Sequence, residues 1–463
     1  MNFIVLINII ALLVLIGILY ALKKKNIKFS TRVFIALGLG ILLGAVLQFI
    51  YGSGAEEVVN TVPWYNIIGT GYVKLLQMIA MPLIFISILV AFTKMKVGKN
   101  FGKMAALILA ILIGTTAISA AVGITTTAVF NLDATQILQG DAEVARGESL
   151  VERSESLAAA SLPQQIVELF PANPFADLTG SRSTSTIAVV IFSAFLGFAY
   201  LSVSRRDQET AATIKKGIDA IYALIMGVVR IVLRLTPYGI LAIMARTVAT
   251  SDFGAIFNLG KFVIASYVAL IIVFIIHLLI ITLTGLNPFT YVKKAAETLL
   301  FAFTSRTSAG ALPLNIQTQT GRLGVPEGIA NFSASFGLSI GQNGCAGVYP
   351  AMLAIMIAPT VGINPLSPVF IATVIIVVAI SSFGVAGVGG GATFAAILVL
   401  SALDLPIALA GVLISVEPLI DMGRTALNVS GSMTAGVATA RVTGELDKEV
   451  YDTPSATKQL IDA

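Results

Sequence analysis

Cysteine and histidine are almost missing from this sequence, which holds one of each in 463 residues. A lone cysteine, Cys345, excludes an internal disulfide and any multi-thiolate metal site. A lone histidine, His277, excludes histidine-pair metal chemistry, so no transition metal and no organic cofactor is expected. Neither a His-rich nor a Ser/Lys catalytic set is present, and the chain is not expected to be an enzyme. Charge is scarce as well. Asp, Glu, Lys and Arg make up 11% of the chain, against about 25% in a soluble domain. Hydrophobic residues reach 57%, which points to lipid as the solvent. The net charge of +5 does not imply a nucleic-acid partner, because the basic residues sit in short connections between apolar runs, where they set membrane topology.

A membrane span needs about 20 apolar residues. Apolar runs occur at 3–22, 31–51, 64–94, 102–130, 186–203, 214–249 and 257–286. The first lacks the basic start and small-residue cleavage site of a leader peptide. Lys23, Lys24 and Lys25 follow it, so it is expected to be a retained helix. The run at 214–249 is long enough to be tilted or broken, and Thr236-Pro237-Tyr238-Gly239 offers a break point. Basic connections lie at Lys23–Lys28, Lys94–Lys103, Arg205–Lys216 and Lys293-Lys294, whereas the polar insert at 131–185 is acidic. Placing the basic connections inside puts this insert and the N-terminus outside and the tail at 445–463 inside, with nine full spans. The insert is expected to be an accessory, mobile loop, its short helical pieces ended by Pro163, Pro171 and Pro174.

From 289 to 444 the pattern changes. Two apolar stretches, 289–320 and 366–398, are interrupted by small polar residues and glycines: Thr304-Ser305-Arg306-Thr307-Ser308-Ala309-Gly310 and Ser381 through Gly391. Each is followed by a span with its own polar cluster, Gly341-Gln342-Asn343-Gly344-Cys345 and Asp421 through Ser432. Broken hairpin, span, broken hairpin, span is a repeat, inverted if the hairpins enter from opposite sides. Non-helical backbone at membrane depth is tolerated where it is buried in protein or lines a wet cavity. Paired interrupted segments of this kind point to the binding site of a transporter.

Asp421 and Arg424 are three residues apart and share a helix face. A charge at mid-bilayer costs roughly 2.5–3.5 kcal/mol on insertion scales, and Asn428 and Ser432 continue the polar stripe. A guanidinium fork suits a carboxylate and Asp421 suits an ammonium, together a zwitterion with an extra carboxylate. Arg306 either reaches a substrate or pairs with an acid such as Glu417, the structural role being favoured. Glu417 is read as a titrating carboxylate or as that partner. The glycine run at Ala386–Ala392 is not followed by Lys-Ser or Lys-Thr, which argues against a nucleotide loop. His277, in Ile275-Ile276-His277-Leu278-Leu279, reads as a buried, hydrogen-bonded residue, and Met81-Pro82 as a helix kink.

Four motifs in this order resemble the dicarboxylate/amino acid:cation symporter family: Thr304–Gly310, Gln342–Cys345, Ala386–Gly390 and Asp421–Gly431. The resemblance covers roughly 31–444 and is most specific from 301 to 436. Within the family the sequence is most similar to the branch that takes up L-cystine. It implies an all-α polytopic membrane protein with two re-entrant helical hairpins and inverted repeats, here with an extra N-terminal transmembrane helix in 1–30. It further implies a homotrimer in a bacterial plasma membrane, importing an amino acid with Na+ or H+ by an elevator-type mechanism. Scaffold helices would lie at 31–95 and 186–250, an outer acidic loop at 131–185, and the transport domain at 100–130 and 257–444. The resemblance places Arg306, Thr307, Ser308, Cys345, Val388, Gly389, Gly390, Asp421, Arg424, Thr425 and Asn428 at the substrate. In it Asp421 holds the ammonium, Asn428 the α-carboxylate and Arg424 a second carboxylate. The implied cation positions are Thr115, Thr116, Gly341, Asn343, Glu417, Asn428 and Ser432. Two aspartates that hold sodium in relatives are Asn343 and Ser432 here. Leu112 replaces an aromatic residue, Gly341 an asparagine and Cys345 a threonine. Fewer sodium ions are expected to move per cycle than in those relatives, or protons in their place.

Overall fold

The computed structural model describes residues 3–27, 29–52, 54–94, 101–134, 151, 167, 170–182, 185–250, 259–384, 391–407, 410, 413 and 416–453. Regular structure among them is helical throughout. The first helices are α1 (Phe3–Lys24), α2 (Phe29–Tyr51), α3 (Glu56–Lys94) and α4 (Phe101–Val129), with a short α5 (Pro174–Leu178) before α6 (Ser185–Arg206). Next come α7 (Gln208–Leu233), α8 (Thr236–Thr250) and α9 (Gly260–Leu283). The last part holds α10 (Pro288–Ser305), α11 (Ser308–Gly321), α12 (Glu327–Phe336), a π-helical segment (Asn343–Val348) and α13 (Tyr349–Ile357). It closes with α14 (Pro368–Ser381), α15 (Gly391–Ala402), α16 (Glu417–Val442) and a short α17 (Lys448–Asp452).

Among the described residues, six stretches are long and apolar enough to cross a membrane: Phe3–Lys24, Thr31–Tyr51, Gly102–Val129, Ala188–Arg206, Gly260–Leu283 and Asn343–Val361. Their outer surfaces carry exposed Leu13, Phe49, Phe195, Phe198, Ile264 and Leu279, an arrangement suited to lipid and not to water. The chain is a multi-pass helical membrane protein. Nine spans would draw on helices outside these six, among them α3, α7 and α16. Lys74 lies in α3, Lys215, Lys216 and Asp219 in α7, and Asp421 and Arg424 in α16.

Helices α2, α3, α6, α7 and α8 pack on one another, and the densest pairing joins α2 to α8. Small residues make that pairing possible. A Cβ on Gly40 would stand 2.7 Å from the Leu241 carbonyl oxygen, and one on Gly44 would stand 2.6 Å from that of Ala245. The spacing of Gly40 and Gly44 places both on one face, so the two backbones meet directly, as small-residue interfaces do in membranes. The long run at 214–249 breaks at Arg234 and Leu235, and Pro237 sits in the first turn of α8, where its missing N–H has no helical partner to lose. Thr236 also joins the Tyr72 hydroxyl of α3 at 2.7 Å. The N-terminal helix is tied in by polar bonds. Buried Asn8 donates to Thr61 at 3.0 Å, and the Tyr65 hydroxyl donates to the Asn8 carbonyl at 2.9 Å.

In the second half, α16 packs against α9, α10, α11, α12, the π segment and α4. Asn287 caps α10 over Pro288, and the helix stops where Arg306 turns left-handed at φ 55°. Thr307 then caps α11 by accepting from Gly310 N at 3.2 Å. α10 and α11 thus form a helical hairpin with its tip at Arg306–Thr307. At its base, Lys294 Nζ donates to the carbonyls of Arg322, Val450 and Tyr451 at 3.0, 2.6 and 2.6 Å. Asp447 N donates to Gly324 O at 2.8 Å. The described part of the tail is therefore docked on this hairpin.

One detail differs from expectation. Pro174 begins α5 and does not end a helix: Asn173 accepts from Phe175 N and Ala176 N, and proline fits the first helical position. Pro163 lies outside the described residues, as does most of the insert. The interruption of the second apolar stretch, from 385 to 390, also lies outside them.

Replacing Gly40 or Gly44 by leucine should wedge α2 from α8. Overpacking costs about 1–3 kcal/mol, occasionally more, so a lower melting temperature than wild type is expected in detergent, with Gly38→Leu, where nothing lies within 4 Å, as the neutral control.

Candidate functional site

Unwound backbone and a charged helix face meet in the second half of the chain. After α12 the chain turns at Gly341, whose φ of 77° only glycine adopts freely and where a Cβ would stand 2.6 Å from Leu112 Cβ. It then runs across α16 so closely that a Cβ on Gly344 would lie 2.6 Å from Arg424 Cα. Asn428 seals the crossing. Its Oδ1 accepts from Gly344 N at 2.8 Å and Cys345 N at 3.3 Å, and its Nδ2 lies 3.1 Å from Cys345 Sγ. The amide satisfies N–H groups that the unwinding leaves without helical partners.

Arg424 occupies the centre. It is 1% exposed and lies 3.3 Å from Asp421 Oδ1 and 3.6 Å from Glu417 Oε1. Its guanidinium stacks on Tyr349 at 4.3 Å from the ring centroid. Across from it, Arg306 Nε donates to Asp421 Oδ2 at 3.0 Å. Two carboxylates and two guanidiniums thus alternate, and Asp421 is shared. Arg306 pairs with Asp421 and not with Glu417, the partner suggested from sequence. The tip's left-handed turn carries the Arg306 side chain to α16, and Glu417 instead faces Arg424 and Thr393 (3.2 Å).

The magnitudes explain the arrangement. Burying an ion costs several kcal/mol even after relaxation. One carboxylate near 3.5 Å returns about 5 kcal/mol at an effective dielectric constant of roughly 20. A single partner barely balances the burial of Arg424, whereas two acids and an aromatic face do. Arg424 Nε and Nη1 still have no hydrogen-bond partner among the described residues. These are buried donors suited to an incoming carboxylate.

Beside this cluster lies a neutral one. Asn343 Nδ2 donates to Thr115 Oγ1 at 2.9 Å and to Thr116 Oγ1 at 3.4 Å, while Asn343 Oδ1 is buried without a partner. Ser432 Oγ accepts from Asn315 Nδ2 at 2.7 Å. Asn315, Gln319 and Ser333 form a closed chain below it, with Gln319 Nε2 to Asn315 Oδ1 at 2.8 Å and Ser333 Oγ to Gln319 Oε1 at 3.0 Å. The sequence reading missed Asn315, Gln319, Tyr267 and Tyr349. An asparagine and a glutamine four apart in an apolar helix were the available signal for the first two. Nothing local marks Tyr267, whose hydroxyl donates to Leu419 O at 2.7 Å.

The structure brings together Arg306, Cys345, Asp421, Arg424, Asn428 and Glu417, and separately Thr115, Thr116, Gly341 and Asn343. Thr307 and Ser308 are buried at the hairpin tip, and Thr425 is buried on α16. Val388, Gly389 and Gly390 lie outside the described residues. A polar, charge-paired site between broken helices, inside a multi-pass helical protein, defines a membrane transporter. Residues 29–442 match the model of the sodium:dicarboxylate symporter family, and the chain belongs to that family. It is similar to proteins named L-cystine uptake protein from three bacteria. Identity is 66% over 97% of this chain and 98% of the Bacillus licheniformis protein. It is 65% over 98% and 97% for Shouchella clausii, and 64% over 96% and 96% for Bacillus subtilis. The family is one of transporters and not of enzymes.

Asp421→Asn should leave Arg306 facing a neutral amide while Arg424 keeps Glu417. Loss of a charge-assisted bond of this kind costs about 1.5–3 kcal/mol, seen as a lower melting temperature without ligand. Arg306→Ala combined with Asp421→Asn should recover part of that loss, because the stranded cation is gone.

Proposed function

We propose that the protein imports L-cystine by cation symport, through an elevator-type movement of one part of each protomer against another. The observation that carries this reading is Arg424, buried against two acids with two donors left over, next to Asp421. Such a pair takes an amino acid bearing a further carboxylate. Cystine meets that description, and relatives at 64–66% identity bear its name. Asp421 would receive the ammonium, Arg424 the distal carboxylate and Asn428 the α-carboxylate. Arg306, Thr307 and Ser308 at the first tip, Val388, Gly389 and Gly390 at the second, and Cys345 and Thr425 would complete the lining. Binding then exchanges the Arg306–Asp421 pair for contacts to the ligand, so the first tip is tied to occupancy.

Symport of acidic amino acids or dicarboxylates is the second reading, supported by the description of the family itself. Uptake of labelled cystine in proteoliposomes, challenged with unlabelled cystine, aspartate, glutamate and neutral amino acids, separates the two. Competition by cystine alone supports the first, and stronger competition by aspartate overturns it. Arg424→Ala should shift preference from cystine toward neutral amino acids. A site built to bind a polar group rejects ligands lacking it strongly, and that discrimination goes with the arginine. An unchanged competition profile would make Arg424 structural.

Nine spans, an outer N-terminus, an inner C-terminus and a homotrimer in a bacterial plasma membrane complete the proposal. The elements at 31–95 and 186–250 would serve as scaffold and those at 100–130 and 257–444 as the moving part, with α10–α11 and α14–α15 as re-entrant hairpins. For the coupling ion, the neutral cluster bears on number. A cation at Ser432 meets the Asn315 amide donor, which opposes it, and at Thr115 and Thr116 it meets Asn343 Nδ2, so Oδ1, an oxygen of the required kind, would serve it only after the amide turns over. Glu417 and Asp421 are the candidates if protons replace sodium. Uptake driven by an imposed sodium gradient or an imposed pH gradient, each alone, decides between them. Less than the sodium cooperativity of the aspartate carriers is expected.

A further inference from the structure

His277 has no part in the site just described, yet it is fully buried on α9. Its Nδ1 lies 3.1 Å from Ser430 Oγ. The Tyr291 hydroxyl donates to the Ser430 carbonyl at 3.0 Å and lies 3.2 Å from Thr434 Oγ1. With the tyrosine proton directed to that carbonyl, the Ser430 hydroxyl can donate to Nδ1 or to the Tyr291 oxygen, each at 3.1 Å. When it donates to Nδ1, the neutral imidazole carries its proton on Nε2, the tautomer that suits the Asn343 oxygen. Neither Nε2 nor the buried Asn343 Oδ1 has a bond of full hydrogen-bond geometry, but the Asn343 side chain stands against the imidazole as its hydrogen-bonding neighbour. The two converge on one spot: a Cβ on Gly431 would collide with Asn343 Oδ1 and stand 3.5 Å from His277 Cε1.

The other end of the Asn343 amide is fixed independently. Thr115 Oγ1 donates to Ile111 O at 2.7 Å and Thr116 Oγ1 to Leu112 O at 2.8 Å. Each hydroxyl has a single proton, so both face Asn343 as acceptors and receive Nδ2. A cation held by Thr115 and Thr116 needs the amide reversed, with Oδ1 toward it. Reversal would turn Nδ2 toward Nε2–H, setting donor against donor in a buried, low-dielectric place.

We propose that His277 is a positioning residue that holds the Asn343 amide in its cation-poor orientation and so weakens sodium binding at Thr115 and Thr116. It acts through Asn343 and touches neither substrate nor cation. The inference rests on the proposed cation role of Asn343, and it concerns the strength of that site, not the identity of the transported solute.

The test uses purified full-length protein without cystine and reads sodium-dependent thermal stabilisation, with choline replacing sodium at constant ionic strength. A ligand that binds the folded state raises stability with concentration over its dissociation constant. His277→Leu should lower the half-saturating sodium concentration about tenfold, the equivalent of one ordinary buried hydrogen bond. Ser430→Ala, which frees Nδ1 to carry the proton, should shift it in the same direction by less. In an Asn343→Leu background, His277→Leu should have no effect on the sodium response. Equal sodium responses in wild type, His277→Leu and Ser430→Ala would overturn the proposal, as would the same shift with and without Asn343. Cystine competition in proteoliposomes is read separately. Failure of cystine to compete, with the sodium shift intact, would count against the proposed substrate alone.

Discussion

A guanidinium buried at 1% exposure in the middle of a membrane protein is the constraint around which the second half of this chain is built. Arg424 must be compensated where water cannot do it. Its compensation comes from Glu417 and Asp421 on its own helix and from the Tyr349 ring on α13, while Arg306 draws on the same Asp421 from the hairpin tip. Because α13 begins only after the π-helical segment that crosses α16, the ring and the acids meet the cation from different elements. That requires the crossing at Gly344, and the crossing requires Asn428 to satisfy the exposed N–H groups.

The same constraint ties the hairpin tip to the helix. Arg306 takes a left-handed conformation that costs a non-glycine residue about 1–2 kcal/mol. Its Nε–Asp421 bond at 3.0 Å offsets that strain. A ligand that takes over Asp421 would release the tip from this bond, which links binding to hairpin movement without any separate signalling element. The docking of α17 on Lys294 holds the opposite end of the hairpin.

The two polar clusters contrast in kind. One is charged and incompletely satisfied, with donors on Arg424 left over. The other, running through Asn315, Gln319, Ser333 and Ser432, is neutral and closed. A buried network whose members are all paired rigidifies, whereas Arg424 Nε and Nη1 have no hydrogen-bond partner among the described residues.

Composition and pattern were enough for several conclusions. Scarce charge and long apolar runs determined a multi-pass helical protein, because lipid demands internally bonded backbone. The break near Pro237, the interruption at Thr304–Gly310 and the turn at Gly341 were legible because proline, glycine and short polar residues act locally. The stripe from Asp421 to Ser432 was legible as one polar face of a helix from its spacing. Pairings were not legible. Arg306 with Asp421, Glu417 with Arg424, Asn315 with Ser432 and His277 with Ser430 join residues on different turns or different helices. Their distances depend on how α16 is rotated among its neighbours. So does the α2–α8 contact, where Gly40 and Gly44 could have faced lipid as readily as a helix. A linear sequence carries the chemistry of each side chain, but only packing chooses which donor meets which acceptor.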